Sequence, residues 1–351
     1  MVIDMKVIFL TAGMAGGGTE RVIAVLANYL IAKEYQVDIV MTSRDDVEYE
    51  LDNRINFFAL SGRTGGSIKK RMERVKKLRK IMKENPQATI LSFGTETNCF
   101  ALLAGFGLKK KLVISERNDP NQCTYKILRN LLYHLADKLV FQTKDAVLCF
   151  SEKIQRKGVV IPNPISDNLP EPFGEVRSKD VVAVGRMQPQ KNHKLLLDAF
   201  ALFHKKHQEY RLVIYGKGEL QPELEKQAEE LGIAENVIFA GFVTDVLQQI
   251  RNSAMYVLSS DYEGISNSLL EAMGIGLPVV STDCPIGGSS MLIESGENGL
   301  LVPMKDARSL AEAMGRIADD EEFARRIAAK AYRVKEMYST KKICEEWEKV
   351  L

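Results

Sequence analysis

Short apolar runs alternate with amphipathic segments along the whole of this chain. The runs are rich in β-branched residues, which is typical of strands that are buried on both faces. Between them apolar residues recur every three or four positions, as at Val22, Leu26 and Leu30, which predicts helices with one packed face. Repeated strand, helix and strand units indicate an α/β fold with parallel sheets covered by helices. The predicted strands are residues 6–11, 37–42, 89–93, 112–115, 139–141, 181–185, 212–215, 237–240, 255–258 and 278–281.

The pattern is interrupted near the middle of the chain. Residues 159–164, Val-Val-Ile-Pro-Asn-Pro, lead into a stretch with Pro170 and Pro172 that has no periodicity, which predicts a linker between two domains. A length of 351 residues also suits two domains. Each half has the pattern of a Rossmann-like domain, so we expect a ligand in the cleft at the carboxyl ends of the strands. Near the end, Ile343 and Trp347 predict a last helix that could pack on either half.

Composition excludes several classes of protein. With 45% hydrophobic and 27% charged residues, the chain is neither disordered nor fibrous. The longest uncharged apolar run, residues 99–108, is half of the about 20 residues that a membrane-spanning helix needs, and charge interrupts residues 1–6 too early for a secretory signal. Five cysteines without Cys-x-x-Cys spacing and four histidines argue against a disulfide framework or a metal site. We therefore expect a cytoplasmic protein with reduced thiols and no metal.

Charge is distributed unevenly. Residues 1–162 contain 26 Lys and Arg and 17 Asp and Glu, a net charge of +9, whereas the remaining residues contain 22 and 29, a net charge of −7. The densest positive segment is the predicted helix 67–84, with nine Lys and Arg. Three interpretations of its basic face stay open: a solvated surface, a contact with an anionic membrane, and a contact with nucleic acid. The other face is expected to pack, through Ile68, Met72, Val75, Leu78 and Met82.

A glycine-rich turn directly follows the first predicted strand. Gly16, Gly17 and Gly18 stand at the expected start of a helix, where backbone N–H groups lack intrahelical partners and can bind an anion. The spacing is neither the Gly-x-Gly-x-x-Gly of dinucleotide-binding domains nor that of a P-loop. The turn is therefore a weak indication of an anion site and fits a plain tight turn as well.

Two cations lie five residues apart in the loop after the first strand of the second half. Residues 184–191 read Val-Gly-Arg-Met-Gln-Pro-Gln-Lys and contain Arg186 and Lys191. An Arg offers a planar fork to two oxygens and a Lys a mobile point charge, so the pair suits a diphosphate whose charge grows as it departs. Two surface cations without a role are the alternative.

Two carboxylates eight positions apart follow the predicted strand that ends at Leu258. Ser266 or Asn267 is a good helix N-cap, which places Glu263 in the preceding loop and Glu271 inside the helix. A buried Glu271 needs partners, and a ribose diol supplies two hydroxyl donors. Glu263 is placed to contact a sugar, and the helix N-terminus offers N–H groups to phosphate. Two exposed acids without a function are the alternative.

These motifs together resemble the retaining family-4 glycosyltransferases of the GT-B fold, in which two Rossmann-like domains face each other across a cleft. The resemblance rests on Glu263 and Glu271 followed by residues 272–280, Ala-Met-Gly-Ile-Gly-Leu-Pro-Val-Val, and on Arg186 with Lys191. It extends over most of the chain. Residues 16–21 resemble the family's amino-terminal loop, residues 215–219 its donor-domain glycine turn, residues 298–303 its late strand, and residues 114–120 the bacterial enzymes that extend lipid-linked glycans, including N-acetylgalactosaminyl transferases.

The resemblance implies a nucleotide-sugar donor, most simply a UDP-sugar such as UDP-GalNAc. It also implies that the sugar is transferred with retention of configuration at its anomeric carbon and without a metal or other cofactor. It implies that Arg186 and Lys191 bind the diphosphate, Glu271 the ribose and Glu263 the transferred sugar, and that the leaving phosphate rather than a side chain accepts the proton of the acceptor. Further donor contacts are expected from Gly16, Gly17, Gly18, Gly216, Gly218, Ile265, Ser266 and Asn267.

For the acceptor, the resemblance implies a hydroxyl group of a cell-envelope glycan, lipid-linked or a free oligosaccharide. Arg117 stands where many relatives have a His and becomes, with Asn118, a candidate acceptor contact. The final helix, 335–351, is expected to cross back onto the first domain, 1–162, which leaves residues 163–334 as the donor domain. We expect a cytoplasmic enzyme peripherally bound to the anionic inner face of the plasma membrane, with no nucleic-acid partner.

Two rival functions remain. An NAD(P)-dependent oxidoreductase also has Rossmann-like domains, and Arg44 after the second strand suits a 2′-phosphate, but the Gly-x-Gly-x-x-Gly spacing is missing. A non-catalytic nucleotide-sugar-binding scaffold would keep the same donor residues, so only a turnover assay separates it from an enzyme.

Overall fold

The computed structural model describes residues 5–43, 46–60 and 68–351. Its contacts divide the chain into unit 1, Met1–Pro164 with Thr340–Leu351, and unit 2, Ile165–Ser339. These bounds lie two and five residues after the predicted ones, at 162 and 335. Arg44 and the first residue of the predicted basic helix, Ser67, lie outside the described residues. Within the described ranges, no helix has both the length and the apolar character that a membrane crossing requires.

Unit 1 is a Rossmann-like α/β layer structure. Its strands are β1 (Lys6–Thr11), β2 (Gln36–Met41), β3 (Asn56–Ala59), β4 (Thr89–Phe93), β5 (Leu112–Ser115), β6 (Lys138–Phe141) and β7 (Gly158–Val160). Its helices are α1 (Gly18–Ala32), α2 (Ile68–Glu84), α3 (Thr95–Gly105), α4 (Lys126–Leu132), α5 (Lys144–Leu148) and α6 (Glu152–Gln155). Over the described residues the sheet has seven parallel strands in the order β3-β2-β1-β4-β5-β6-β7.

Unit 2 repeats this architecture with six strands among its residues. The strands are β8 (Asp180–Val184), β9 (Arg211–Tyr215), β10 (Val237–Gly241), β11 (Met255–Leu258), β12 (Val279–Thr282) and β13 (Leu300–Val302), in the order β10-β9-β8-β11-β12-β13, all parallel. The helices are α7 (His193–His204), α8 (Gln221–Glu230), α9 (Val246–Ile250), α10 (Asn267–Gly274), α11 (Gly288–Leu292), α12 (Ala307–Asp319), α13 (Glu321–Ala331) and α14 (Val334–Met337). The predicted α/β class with parallel sheets is confirmed.

The last helix, α15 (Thr340–Glu348), packs within unit 1. Trp347 is fully buried with its ring centroid 5.5 Å from that of Phe93, and the Tyr29 hydroxyl donates to the Glu348 carboxylate at 2.8 Å. An aromatic contact with β4 and a hydrogen bond to α1 therefore hold α15 in unit 1.

Two strands were not predicted. Gly158–Val160, interpreted above as the start of the linker, pairs in parallel with β6, so that interpretation is wrong for Val159 and Val160. Asn56–Ala59 is exposed at the edge of the sheet, and its short Phe57-Phe58 signal is too brief to stand out from a loop.

The basic helix α2 departs from its predicted packing. Leu78 and Met82 are buried as expected, but Ile68 and Met72 are 79% and 54% exposed, and Arg74 is buried in their place. The expectation that the whole apolar face packs is therefore wrong for the first turn and a half of the helix.

Candidate functional site

The carboxyl ends of β8 and β11 lie side by side in unit 2, at the point where the strand order reverses. In open parallel α/β sheets ligands bind at this switch point, because the loops after the two central strands turn to opposite faces and leave a crevice. The loop after β8 is residues 185–191 and the loop after β11 is residues 259–266, so both predicted motifs are at this position.

The two loops are tied to each other by hydrogen bonds. The Asp261 N–H donates to the Gln190 carbonyl at 2.9 Å, and the Gln190 side-chain amide donates to the Tyr262 carbonyl at 3.0 Å. The Asn192 amide donates to the Asp261 carboxylate at 2.8 Å. Backbone and side-chain groups of both loops are thereby satisfied, which fixes the spacing of the cations and acids that they carry.

Lys191 and Glu263 form an ion pair across these loops, with Nζ and Oε1 2.5 Å apart. The same Oε1 accepts a hydrogen bond from the Ser260 hydroxyl at 3.1 Å. The two charged side chains are only 18% and 10% exposed, so solvent screens their attraction less than at a surface pair. The Lys191 side chain lies along Gly185, where a Cβ would be 3.0 Å from Lys191 Cε.

Glycines bring a third loop, after β9, against the loop 185–191, which we call the cationic loop. Gly216 has φ +135°, and a Cβ there would lie 2.0 Å from the Gly185 carbonyl oxygen. A Cβ at Gly218 would lie 2.2 Å from the Met187 carbonyl oxygen. Both glycines are required by this close approach of backbones. Their predicted role as ligand contacts is not needed to explain them.

Helix α10 begins beside the end of β8. Its N-cap is Ser266, as predicted, and the buried Tyr256 hydroxyl donates to Ser268 Oγ at 2.8 Å. Ser268 Oγ donates in turn to the Val184 carbonyl at 3.1 Å, next to the cationic loop. Ile265 and Asn267 belong to this same turn, so the helix start is tied to the end of β8, two residues before Arg186.

The two carboxylates have different surroundings, as the sequence predicts. Glu271 lies within α10 and is 8% exposed, whereas Glu263 lies in the loop and is paired with Lys191. Burial raises the pKa of the Tyr256 phenol, and the charges of Glu263 and Glu271 raise that pKa further. Both carboxylates are thus within electrostatic reach of one buried hydroxyl.

The Arg186 side chain is exposed and, among the described residues, has no hydrogen-bonded or ion-paired partner. The structure therefore places Arg186, Lys191 and Glu263 on adjacent loops of one unit and Glu271 on the helix that follows the second loop. It leaves the Arg186 guanidinium uncommitted while the Lys191 ammonium is paired. Across the described ranges, no group of three or more His, Cys, Asp and Glu side chains is arranged to hold a metal ion.

Sequence reasoning missed several residues of this site. His193, the first residue of α7, is 4% exposed, and burial together with the Lys191 charge lowers its pKa to about 4, so the imidazole is neutral at physiological pH. Gly288 lies against the loop after β11, where a Cβ would be 1.7 Å from the Gly264 carbonyl oxygen. Ser260 and Ser268 carry the hydrogen bonds described above. The pair Ser259-Ser260 directly before the acidic motif is the signal that was available.

The glycine turn of unit 1 has acidic neighbours. Gly16 has φ +56°, and a Cβ there would lie 2.6 Å from a carboxylate oxygen of Glu48. A Cβ at Gly17 would lie 2.0 Å from a carboxylate oxygen of Glu20, and Gly18 begins α1. Two carboxylates therefore lie close to the turn, and its role as an anion site stays a prediction.

Arg117 and Asn118 follow β5 in unit 1. Arg117 is 9% exposed, donates to the Asn163 side chain, and has its guanidinium 6.0 Å from the centre of the Trp347 ring. Burial lowers the pKa of Arg117 to about 9, so the side chain stays charged at neutral pH. Asn118 is exposed, and its side-chain oxygen accepts from the Asp119 N–H at 2.9 Å. Side chains of unit 1 therefore hold the buried Arg117 guanidinium in place.

A buried carboxylate adjoins them. Glu116 is 4% exposed and accepts hydrogen bonds from the Thr95 hydroxyl at 3.0 Å, the Asn98 amide at 3.3 Å and the Tyr133 hydroxyl. Burial raises its pKa above the ordinary value despite these donors. Nothing in the local sequence marks Glu116 as a buried carboxylate.

Comparison with known families supports the assignment that the motifs suggested. The family described as "Glycosyl transferases group 1" matches residues 167–334, and "Glycosyltransferase Family 4" matches residues 16–169. A Campylobacter jejuni enzyme is 31% identical over 358 residues, covering 99% of this chain and 98% of its own. It is described as a GalNAc-α-(1→4)-GalNAc-α-(1→3)-diNAcBac-PP-undecaprenol α-1,4-N-acetyl-D-galactosaminyltransferase.

Solved structures share the fold. Sucrose-phosphate synthase from Thermosynechococcus elongatus superposes with a TM-score of 0.86 at 17% identity, covering 99% of this chain and 98% of the other. Anabaena HepE in complex with UDP and glucose superposes with a TM-score of 0.83 at 20% identity, covering 98% of each chain. These likenesses confirm the predicted GT-B fold class.

Proposed function

This chain belongs to the glycosyl transferases of group 1, and on that premise we propose that it moves a sugar from a nucleoside diphosphate to a hydroxyl group of a lipid-linked cell-envelope glycan. The observation that carries the proposal is the Lys191–Glu263 pair beside Arg186, at the switch point of the unit 2 sheet. A cation and an acid held at the same place suit a ligand that presents a diphosphate and a sugar hydroxyl side by side.

Each charged group then has a role. Arg186 and Lys191 bind the donor diphosphate, and the N–H groups at the start of α10 donate hydrogen bonds to the same diphosphate. Glu271 accepts hydrogen bonds from the two ribose hydroxyls, and Glu263 accepts hydrogen bonds from hydroxyls of the transferred sugar. A UDP-sugar is the proposed donor, because the related HepE structures contain UDP, UDP with glucose, or UDP-glucose.

Donor binding would exchange the partners of the ion pair. In the structure Lys191 neutralises Glu263, with Nζ and Oε1 2.5 Å apart. An incoming diphosphate carries more negative charge than a carboxylate and competes for the ammonium group. The Glu263 carboxylate then keeps its hydrogen bond from Ser260 and is ready to accept from the sugar. The pair thereby keeps both groups charged and in place until the ligand arrives.

We propose transfer with retention and without a metal. The acceptor oxygen forms a bond to the anomeric carbon as the bond from that carbon to the diphosphate oxygen breaks, and the acceptor proton passes to the departing phosphate. Arg186 and Lys191 stabilise the charge that grows on the diphosphate, since preorganised cations act most strongly where charge develops. In this scheme no side chain acts as the base.

The acceptor is proposed to contact unit 1. The Campylobacter jejuni relative is described as acting on an undecaprenyl diphosphate glycan, so we propose a lipid-linked acceptor here and, with it, work at the inner face of the plasma membrane. Asn118 is the exposed candidate of the predicted pair, whereas Arg117 would act by holding the loop that carries it.

The donor is tested by thermal shift with a panel of nucleotide sugars and free nucleotides. A ligand that binds only the folded state raises the melting temperature by mass action, so UDP and at least one UDP-sugar should stabilise the protein. A panel in which no nucleotide raises the melting temperature would contradict the donor assignment.

Turnover separates an enzyme from a binding scaffold. Purified protein with the stabilising donor and a lipid-linked acceptor should release the nucleoside diphosphate faster than with the donor alone, because water is a poorer acceptor in an organised site. Release at the same rate with and without acceptor would indicate a hydrolase, and no release with any acceptor would favour the scaffold.

A further inference from the structure

Helix α4 of unit 1 is inverted with respect to solvent. Its one arginine, Arg129, is fully buried, whereas Ile127, Leu128 and Leu131 are 81%, 43% and 68% exposed. In a water-soluble surface helix the apolar residues face the core and the charges face water. A helix that does the reverse is built to place its apolar side chains against something other than water.

The inversion is fixed by the contacts of Arg129. Its guanidinium donates to the Pro120 carbonyl at 2.6 Å and to the Asn130 side-chain oxygen at 2.9 and 3.1 Å, and it lies 4.5 Å from the centre of the Phe150 ring. A buried charge with this many partners is satisfied, so rotating the helix to bury the leucines would expose Phe150 and strip Arg129 of its acceptors.

The start of α2 extends the same surface. Arg71 donates to the Tyr125 hydroxyl at 2.8 Å and lies 5.4 Å from the centre of that ring, and Tyr125 directly precedes α4. On this part of α2 the apolar residues Ile68 and Met72 are exposed, contrary to the sequence expectation. Five exposed apolar side chains on two helices joined by a direct contact make a patch rather than scattered residues.

Lysines flank these apolar residues along the chain. Lys126 begins α4, and Lys69 and Lys70 lie in the first turn of α2, all of them exposed. We infer that the patch and these lysines form a docking surface for an anionic lipid bilayer, with the apolar side chains entering the level of the lipid headgroups and acyl chains. Charge complementarity selects this occupant, because lysines next to exposed isoleucine and leucine side chains suit anionic headgroups over an apolar layer. We name it the docking patch: Ile68, Lys69, Lys70, Met72, Lys126, Ile127, Leu128 and Leu131.

The docking patch deepens the proposed function, since its benefit, a shorter search for a lipid-linked acceptor, rests on that function. Its existence does not. Vesicle binding can be measured without any sugar donor, and nucleotide binding can be measured without any vesicle, so the two proposals fail separately.

The first experiment is flotation of the full chain with vesicles made of equal parts phosphatidylglycerol and phosphatidylcholine, and with vesicles of phosphatidylcholine alone. Wild-type protein should float with the anionic vesicles and much less with the neutral ones. The double variant I127S/L131S should bind the anionic vesicles at least about tenfold more weakly, or about 1.4 kcal/mol. The variant K69E/K70E/K126E should lose binding to anionic vesicles as well.

The matched control takes exposed apolar residues from unit 2. Val176 and Phe242 are 90% and 69% exposed, close to the values for Ile127 and Leu131. The double variant V176S/F242S should float like the wild type. Equal loss in both double variants would overturn the docking patch, and so would wild-type binding by I127S/L131S.

Insertion is read separately from adsorption. The chain has one tryptophan, the buried Trp347, so Ile127→Trp adds a single exposed indole. Its fluorescence should shift to shorter wavelength with anionic vesicles and stay unshifted with buffer alone. An unshifted emission in the presence of bound vesicles would show that the patch stays in water and would overturn the insertion.

Self-association is the other reading of an exposed apolar patch. Size-exclusion chromatography of wild type and I127S/L131S tests it. A wild-type dimer that becomes a monomer in the variant, with vesicle binding unchanged, would assign the patch to a second copy and overturn the membrane proposal. A wild-type monomer with the expected flotation results supports it. Unchanged UDP-induced stabilisation in the variant would show that unit 2 stays folded.

Discussion

Lys191 and Glu263 in unit 2 neutralise each other, whereas Glu116 and Arg117 in unit 1, although adjacent in sequence, are each held by neutral groups. Both sets follow the carboxyl ends of central strands. The unit 2 pair keeps 18% and 10% of its side chains exposed, so a ligand can reach it. The unit 1 charges are enclosed by Tyr133 and other polar side chains that stay in place.

The difference separates charges that exchange partners from charges that maintain a fold. An ion pair that is partly open to solvent can trade one partner for a ligand of the same sign at little cost in solvation. A charge held by neutral dipoles has no such substitute, and burial shifts its pKa: upward for Glu116 and downward, to about 9, for Arg117. We therefore expect mutations in unit 2 to change catalysis and those in unit 1 to change stability.

The largest expected effect tests the ligand-exchanging side of this contrast. Lys191→Ala should lower kcat about 10²–10³-fold, because it removes a preorganised charge from the departing diphosphate. Steady-state turnover with a saturating donor measures it. Lys194→Ala is the matched control, since Lys194 lies on the same stretch of chain but is 52% exposed and pairs with Glu223 at the surface. Equal turnover in the two variants would remove Lys191 from the mechanism.

The second carboxylate of unit 2 gives a smaller effect on binding. Glu271→Ala should weaken nucleotide affinity by about 1–3 kcal/mol, through lost hydrogen bonds to the ribose, with the maximal rate changed less than the affinity. Calorimetric titration with UDP measures it. Glu312→Ala, an exposed acid on α12, should leave the affinity unchanged. Wild-type affinity in Glu271→Ala would place that carboxylate with the structural charges instead.

The pH dependence of stability tests the structural side. Glu116 has a raised pKa when folded, so the stabilising effect of its protonated form is complete below the unfolded value near 4.5 and is lost as pH rises through the folded pKa. Over that window the free energy of unfolding of the wild type should fall relative to Glu116→Gln by up to about 1.4 kcal/mol per pH unit.

Urea denaturation at a series of pH values, followed by the fluorescence of Trp347 in unit 1, measures this difference. Glu96→Gln is the control, because the Glu96 side chain is 46% exposed on α3 and should show the pH dependence of the wild type. Parallel curves for wild type and Glu116→Gln would mean that the buried carboxylate titrates as it does in the unfolded chain.

The same contrast explains what the sequence could predict. Most strands of both sheets, though not β3 and β7, and the segments with Arg186, Lys191, Glu263 and Glu271 were predictable, because these features are local: apolar runs, an N-cap and charges at fixed spacing after a strand. The family resemblance added the GT-B fold class, which the solved structures confirm. The roles of the four site residues remain predictions.

Burial of charge was not predictable. Arg129 and Glu116 look like ordinary surface residues in the sequence, Arg117 looks like an accessible acceptor contact, and the apolar positions of α2 and α4 look like core. Which side of a helix faces the protein depends on long-range partners, such as Phe150 for Arg129 and Tyr125 for Arg71. Periodicity shows that a helix has two faces, but it does not show which of them the fold covers when a charge can be satisfied inside.

The smallest expected effect concerns the hydrogen bond from Ser260 that the Glu263 carboxylate keeps when Lys191 binds a ligand. Ser260 is fully buried and donates to Glu263 Oε1 at 3.1 Å, so Ser260→Ala should leave the freed carboxylate less well oriented and lower kcat about fivefold, or about 1 kcal/mol. Ser281→Ala controls for the loss of a buried hydroxyl, since Ser281 bonds to Ser289 Oγ at 2.8 Å and touches neither charge. Both variants should lose similar stability in thermal denaturation, while turnover falls only in the first. A fall in turnover of equal size in both variants would mean that Ser260 serves packing and does not orient the Glu263 carboxylate.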